Sequence, residues 1–286
     1  MNMDNILIVD GNNLLFQMFY GIPTKIYNKS KNTIHATIGF ISALQRLIKL
    51  IDASKVIVVF DEDGSEERKT QYQDYKANRI DNWDILPSDE VPFNEEHYIC
   101  DCLDYLQIKY LKSKNMEADD LIASLALSFY KDNKVYIVSN DTDFYQLINE
   151  NVSIIKYKGK NTKIIDYNEF YNMFNFESGK YVFYKSLVGD SADNIKGISQ
   201  IGKKRATEIV SKYSNFEEFL ENVYFMFSHK IATTVTIEKE KYYLNSKLIT
   251  LLYKSEVNYS LELFNFNKDK IELRNSFILS ECKVFD

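Results

Sequence analysis

Cysteine is scarce in this chain: Cys100, Cys102 and Cys282 are the only three in 286 residues. Three thiols make no disulfide framework, so a reducing compartment, the cytoplasm, is expected. Histidine is equally rare, and His35, His97 and His229 are scattered, which argues against a zinc centre of clustered nitrogen and sulfur ligands. No apolar run is long enough to span a bilayer, and no signal-peptide pattern opens the chain, so no membrane association is expected. There is no internal repeat. Hydrophobic residues make up an ordinary 45%, enough for one large domain or two modest ones.

Against these absences stands a concentration of acids. The stretch Met116–Asp143 places Glu117, Asp119 and Asp120 at the start of an apolar-periodic helix whose buried stripe is Leu121, Ile122, Leu125 and Phe129. A strand over Val135–Val138 follows, with Asp141 and Asp143 just beyond it. Taken singly, acids in a first helical turn complement the helix dipole, and Asp-x-Asp is ordinary turn chemistry. Together, five carboxylates at one sheet edge repel strongly unless cations neutralise them. Oxygen ligands of this kind suit hard divalent ions.

The same edge collects further acids. Asn5–Asp10 reads as a short buried strand ending in Asp10, followed by the turn residues Gly11 and Asn12 and a helix over about 14–19. An amphipathic helix over Ala36–Ile51 leads to a second strand, Lys55–Phe60, which Asp61 ends. A helix near Glu95–Leu106, a third strand over Ile108–Leu111 and the fourth over Val135–Val138 complete a doubly wound α/β pattern. Asp10, Asp61 and Asp141 each lie just past a strand's carboxyl end, where open α/β sheets bind ligands.

Two stretches depart from the sheet pattern. Between Asp61 and Glu95, Arg68, Tyr72, Tyr75, Lys76 and Arg79 recur on one helical face. Such a face is either a solvated charged surface or a stacking and phosphate-holding strip for single-stranded nucleic acid. From Tyr167 onward the pattern is mostly helical. Tyr181–Val188 precedes Gly189-Asp190-Ser-Ala-Asp193, and Lys196, Gly197, Gln200 and Gly202 feed a helix over Lys203–Lys212. A glycine-bearing turn at a helix N-terminus offers N–H groups to a phosphate. Lys203, Lys204 and Arg205 there oppose the helix dipole, which points to an anionic partner. Farther on, Glu238–Leu252 reads as a helix and Leu261–Phe264 as extended.

The order of motifs resembles the 5′ nuclease (flap endonuclease) superfamily, closest to its bacterial type. The matching residues are Ile8–Asn12, Phe19–Pro23, Val59–Asp61, Asp74–Arg79, Glu117–Asp120, Asp141–Asp143 and Gly189–Asn194. The resemblance implies a PIN-like, doubly wound, mostly parallel sheet with a helical arch over about 62–94, in a nuclease domain covering 1–176. It implies a smaller helical domain over 177–286, with a helix–three-turn–helix that grips duplex DNA. It also implies an active enzyme, a 5′→3′ exonuclease or flap endonuclease using two Mg²⁺ ions that Mn²⁺ can replace. One metal cluster corresponds to Asp10, Asp61, Glu117, Asp119 and Asp120, the other to Asp141, Asp143, Asp190 and Asp193. Lys76 and Arg79 correspond to arch residues that act on the scissile phosphate.

Two residues depart from the family pattern: Lys196 stands in place of proline, and Gln200 in place of a hairpin glycine. The duplex grip, and the K⁺ that the family's hairpin often holds, depend on whether Gln200 accepts a positive φ there. The net charge of −6 conceals a basic remainder. With nine of the 41 acids at metals, 32 face 35 lysines and arginines, leaving +3. The expected partner is DNA with 5′ ends, flaps or junctions, with a DNA polymerase as protein partner and the chain itself monomeric. Two other readings stand beside this one, a PIN-type ribonuclease and a non-catalytic junction binder.

Overall fold

The computed structural model describes residues 3–62, 83–114, 116–253 and 259–286. Six strands form the central sheet: β1 (Asn5–Asp10), β2 (Lys55–Asp61), β3 (Lys109–Ser113), β4 (Lys134–Val138), β5 (Val152–Lys156) and β6 (Lys163–Ile165), in the order β3-β2-β1-β4-β5-β6. All neighbours pair in parallel except β5 and β6. The chain winds outward from β1 to β3, then returns to the other side of β1 at β4. The β1/β4 boundary is therefore the topological switch point, where an open parallel sheet leaves a crevice at its carboxyl edge.

Alternation along the strands supplies two cores. Ile6, Ile8, Ile57, Val59, Val135 and Ile137 face the helix Ala118–Phe129 and run on into the helical second region. Leu7, Val9, Val56, Val58 and Phe60 face the opposite side, with helices α1 (Gly11–Gly21), α2 (His35–Leu50) and α3 (Glu96–Tyr105). The helix Ala118–Phe129 is α4. Both sheet faces are covered, as parallel sheets require.

The second region contains α5 (Tyr167–Phe174), α6 (Tyr181–Val188), a two-residue hairpin of β7 (Gly189–Asp190) and β8 (Ile195–Lys196), then α7 (Lys203–Lys212), α8 (Phe216–Met226), α9 (His229–Ile237) and α10 (Lys239–Ile249). Short helices α11 (Lys268–Ile271) and α12 (Asn275–Glu281) return to the sheet body, where Ile271, Ile278, Leu279 and Val284 join the core of α2 and α3. Gln45 donates to the carbonyls of Ile271 (2.8 Å) and Leu273 (2.9 Å), fixing that return.

Several boundaries differ from sequence expectation for local reasons. The first helix starts at Gly11, three residues earlier than expected, because the Asp10 carboxylate caps it. The expected helix over 238–252 stops at Ile249, where Thr250 turns extended. Leu261–Phe264 is a 3₁₀ turn and not extended, with the Ser260 side chain capping Glu262 N–H.

The chain re-enters the described structure at Trp83, whose ring packs edge-on against Phe16 of α1 (5.7 Å) and Phe93 (5.5 Å). A buried polar contact follows. Glu95, fully buried, accepts from Thr37 N–H (2.8 Å) and the Thr37 hydroxyl (2.9 Å), capping α2 from another segment. Its second oxygen lies 3.3 Å from His35 Nδ1, while His35 Nε2 faces the Phe19 carbonyl at 3.2 Å. This contact ties the end of α1, the start of α2 and the segment entering α3. His35→Leu leaves a fully buried carboxylate oxygen facing apolar atoms. We expect a loss of about 1–3 kcal/mol in urea unfolding, as for a buried polar group left without its polar neighbour. A loss below about 1 kcal/mol would show that the contact holds nothing together.

Candidate active site

Asp10 is the centre of the site. It is the last residue of β1, nearly fully buried, and its two oxygens are both engaged: Asn13 N–H donates to Oδ1 (3.0 Å) and the Ser139 hydroxyl to Oδ2 (2.8 Å). Burial pushes its pKa up to about 6. The Asn13 and Ser139 hydrogen bonds oppose that rise, and repulsion from Asp141 and Asp61 adds to it. Asp61 ends β2, with its N–H donating to Asn12 Oδ1 (3.0 Å) and its carboxylate accepting from Ser113 at the end of β3 (3.1 Å). Asp141 follows β4, its N–H donating to Ser139 Oγ (3.0 Å). Ser139 thus joins the β1 and β4 acids across the switch point.

Glu117 is the N-cap residue of α4, and Asp119 and Asp120 lie in its first turn. Glu117 and Asp120 are buried, Asp119 half-buried. The helix packs on β1 and β2, at the side of the crevice where Asp10 and Asp61 end their strands. Asp120 also reaches the second region, accepting from Leu252 N–H (2.8 Å).

A second group forms between the β4 loop and the β7–β8 hairpin. Asp143, Asp190 and Asp193 each offer an oxygen within 4.8 Å of the others. Asp141 stands between the groups: it repels Asp10, and its Oδ1 accepts from Asp143 N–H (2.8 Å). Lys185 of α6 enters the second group. Its ammonium pairs with Asp143, lies 2.5 Å from Asp190 and donates to Thr142 Oγ1 (3.2 Å). Burial alone would lower this lysine's pKa, but Asp143 and Asp141 outweigh it and hold the pKa above the ordinary value. Burial likewise raises Asp190, yet Lys185 and the N–H groups of Ala192 and Asp193 bring it below the usual carboxylate range.

The hairpin holding Asp190 and Asp193 is tightly seated. A Cβ on Gly197 would come within 2.1 Å of the Val188 carbonyl oxygen, so only glycine fits. Gly189 has φ +82. Asn245 of α10 donates to the carbonyls of Ser186 and Lys196, both at 3.0 Å. Gln200 does take the positive φ that glycine would favour, at +67, and its carbonyl accepts from Arg205 (2.6 Å). Gly202 is the N-cap residue of α7, with Lys203, Lys204 and Arg205 exposed in a first turn that holds no acid. Lys196 is exposed on the same hairpin. Arg68, Tyr72, Tyr75, Lys76 and Arg79 lie outside the described residues.

The donor set fits a hard divalent cation: the acids offer oxygen alone, and the protein places a cation of its own between Asp143 and Asp190. Lys185 and Ser139 were missed by the sequence reading. Lys185 had one signal, a lone cation inside the apolar run Tyr181–Val188, five residues before Asp190.

The chain matches two family models, the 5′-3′ exonuclease N-terminal resolvase-like domain over residues 5–175 and the 5′-3′ exonuclease C-terminal SAM fold over 176–272. It is 33% identical over 290 residues to a 5′-3′ exonuclease of Aquifex aeolicus, covering 99% of this chain and 96% of that one. It is 30% identical over 264 residues to DNA polymerase I of Caldicellulosiruptor bescii, covering 90% of this chain but only 30% of the polymerase. Among solved structures it is similar to the T5 D15 protein co-crystallised with metal ions, with a TM-score of 0.69, 21% identity and 99% of each chain covered. At that identity the likeness is one of fold.

The raised pKa of Asp10 has a signed consequence. Its ordinary value is 3.8 and its folded value about 6. The folded state therefore binds the extra proton between those values, and this carboxyl's contribution to stability falls as pH rises through them. In EDTA, Asp10→Asn is expected to be more stable than wild type by about 1–3 kcal/mol at pH 8. The advantage shrinks below pH 6, where wild-type Asp10 is protonated. Urea unfolding of both proteins at pH 8 and pH 5 checks this; an advantage independent of pH would remove Asp10 as its source.

Proposed function

The chain belongs to the 5′-3′ exonuclease family, and from that premise we propose a metal-dependent, structure-selective nuclease that hydrolyses DNA phosphodiesters at 5′ ends and flaps. The observation that carries this reading is the group Asp143, Asp190 and Asp193, whose oxygens lie within 4.8 Å of one another and already draw in a buried ammonium, beside the strand-end acids Asp10 and Asp61. Asp10, Asp61, Glu117, Asp119 and Asp120 would hold one ion, and Asp141, Asp143, Asp190 and Asp193 a second. Mg²⁺, or Mn²⁺ in its place, supplies Lewis acidity toward the scissile phosphate.

The side chains do the rest. Lys76 and Arg79 stabilise charge developing on the phosphate. Arg68, Tyr72 and Tyr75 hold a single strand by stacking and phosphate contact. Lys196, Gly197, Gly202, Lys203, Lys204 and Arg205 hold the duplex by its backbone, without reading sequence. A K⁺ at the 195–202 turn belongs to the same reading, supported by the positive φ that Gln200 retains. The division into a nuclease body over 1–176 and a DNA-gripping region over 177–286 belongs to the same proposal, with the amendment that α11 and α12 pack on the nuclease body.

The T5 D15 flap endonuclease has been crystallised with DNA and metal ions, and the Rad2 catalytic core with DNA substrate. These support DNA as the substrate over RNA, and catalysis over mere junction binding. No helix among the described residues is long and apolar enough to cross a membrane. A monomer acting in the cytoplasm beside a DNA polymerase completes the proposal.

Cleavage of end-labelled flap, nicked, blunt and single-stranded DNA, side by side, tests it. EDTA should abolish cutting, and Mg²⁺ or Mn²⁺ should restore it on substrates with 5′ ends. Full cleavage in EDTA, or preference for an RNA hairpin, would overturn the reading. The duplex grip has its own test. Lys203→Ala and Lys204→Ala should weaken binding uniformly across sequences and lower the slope of log affinity against log salt by roughly one each. An unchanged slope would place the duplex elsewhere.

A further inference from the structure

Lys185 is the buried cation that the proposed catalytic scheme does not use. It sits in α6 with a side chain only 6% exposed. An ammonium has three N–H donors and no acceptor. Here three oxygens face it, from Asp143, Asp190 and Thr142. Two of those oxygens belong to the triad of carboxylates that fits a divalent ion. The ammonium and such an ion would compete for the same lone pairs.

We propose that Lys185 is a resident counter-ion of the second carboxylate cluster, and that a divalent cation enters this cluster by displacing its ammonium. The inference rests on the metal-dependent reading above. Without metal, Lys185 offsets the repulsion among Asp143, Asp190 and Asp193, which hairpin β7–β8 and the β4 loop hold together regardless of loading. With metal, the lysine's four-carbon stem lets the ammonium withdraw while the carboxylates stay in place. The ammonium left beside the cluster is then free to meet an anion there. No bond is made or broken; one cation replaces another. The cost is affinity, because the cluster is competent for metal only in the fraction of molecules whose ammonium has withdrawn.

The test measures binding and melting, not turnover. Mn²⁺ titration of wild type and Lys185→Met, by calorimetry, should show the weaker of the two sites tightened about tenfold or more in the variant. That is the gain expected if the withdrawn state makes up about one part in ten of the wild-type protein. In EDTA the variant should melt below wild type, and saturating Mn²⁺ should close that gap, since a ligand binding only the folded state stabilises it in proportion to its affinity. Lys185→Arg keeps the charge and should show no tightening; it also serves if the Met variant does not fold in EDTA and must be titrated from a Mn²⁺-loaded preparation. Equal or weaker Mn²⁺ affinity in Lys185→Met overturns the exchange and leaves the metal reading standing. Failure of wild type and variant alike to bind Mn²⁺ overturns both.

Discussion

Carboxylates gathered at one edge of a sheet repel one another, and the rest of this molecule is arranged to contain that repulsion. Asp10 is one point where that repulsion is concentrated. It ends the central strand, it is buried, and it lies within electrostatic reach of Asp61 and Asp141. A carboxylate so placed is tolerable because its oxygens accept from Asn13 and Ser139, and because the start of α1 presents its first N–H groups to it. The same solution recurs around it: Asn12 and Ser113 hold Asp61, and Asp141 accepts from the Asp143 N–H. Hydrogen bonds fix where the acids point, but they leave most of the charge uncancelled, and a binding site for cations is the result.

The fold makes this gathering unavoidable. Order β3-β2-β1-β4-β5-β6 sends successive crossovers away from β1 and then back, so the loops after β1 and β4 part and leave a crevice. Acids after β1, β2 and β4 border it from below. The second region closes it from the side: Gln146, just after the β4 acids, donates to the Ile249 carbonyl (3.1 Å) and accepts from Leu251 N–H (3.1 Å), while Asp120 accepts from Leu252 N–H. The segment following α10 is thereby tied to both acid-bearing loops. α6 is pinned in turn by Asn245 of α10, and it carries Lys185 and the hairpin of Asp190. The second carboxylate group therefore exists only when the two regions are docked.

Much of this was legible in the sequence, for identifiable reasons. Of the five parallel strands, β1, β2 and β4 showed as short apolar runs because both sheet faces are buried there, while β5 was not read; the acids showed because they stand directly after strand ends. Asp143, Asp190 and Asp193 come together across 50 residues of chain, a juxtaposition that spacing alone does not give; it came from the family resemblance, and the helical docking explains it. Ser139 and Lys185 were not legible. A serine after a strand looks like turn chemistry, and its bond to Asp10 depends on β4 pairing directly with β1. Lys185 stands as a lone cation within the apolar run Tyr181–Val188, and spacing alone does not show the acids that surround it. Leu261–Phe264 misled because a short apolar run does not distinguish a strand from a 3₁₀ turn capped by Ser260.

The site's charge also explains why its cations come in distinct kinds. DNA brings phosphate toward an edge that is already negative, so approach is unfavourable unless positive charge is supplied in advance. In the proposed reading Lys203, Lys204 and Arg205 supply it at a distance, exposed at the start of α7, where the first-turn N–H groups add to them and the turn itself holds no acid. Their charge is available to a duplex whether or not the carboxylate groups are loaded. Lys185 is of the other kind. It is buried, committed to Asp143 and Asp190, and offers nothing to phosphate while those acids hold it. In the proposed reading the exposed set serves binding and the buried one the acid cluster, and the short path Ile195–Gly202 joins them: a hairpin seated by Gly197 at one end and turned by Gln200 at the other. A backbone packed so closely at Gly197 that an added Cβ would stand 2.1 Å from the Val188 carbonyl oxygen, and holding a positive φ at Gln200, has little freedom to move. The exposed lysines of α7 and the acids of the second group are thus held in fixed register, so in the proposed reading the point where the duplex is gripped determines which phosphate lies over the carboxylates.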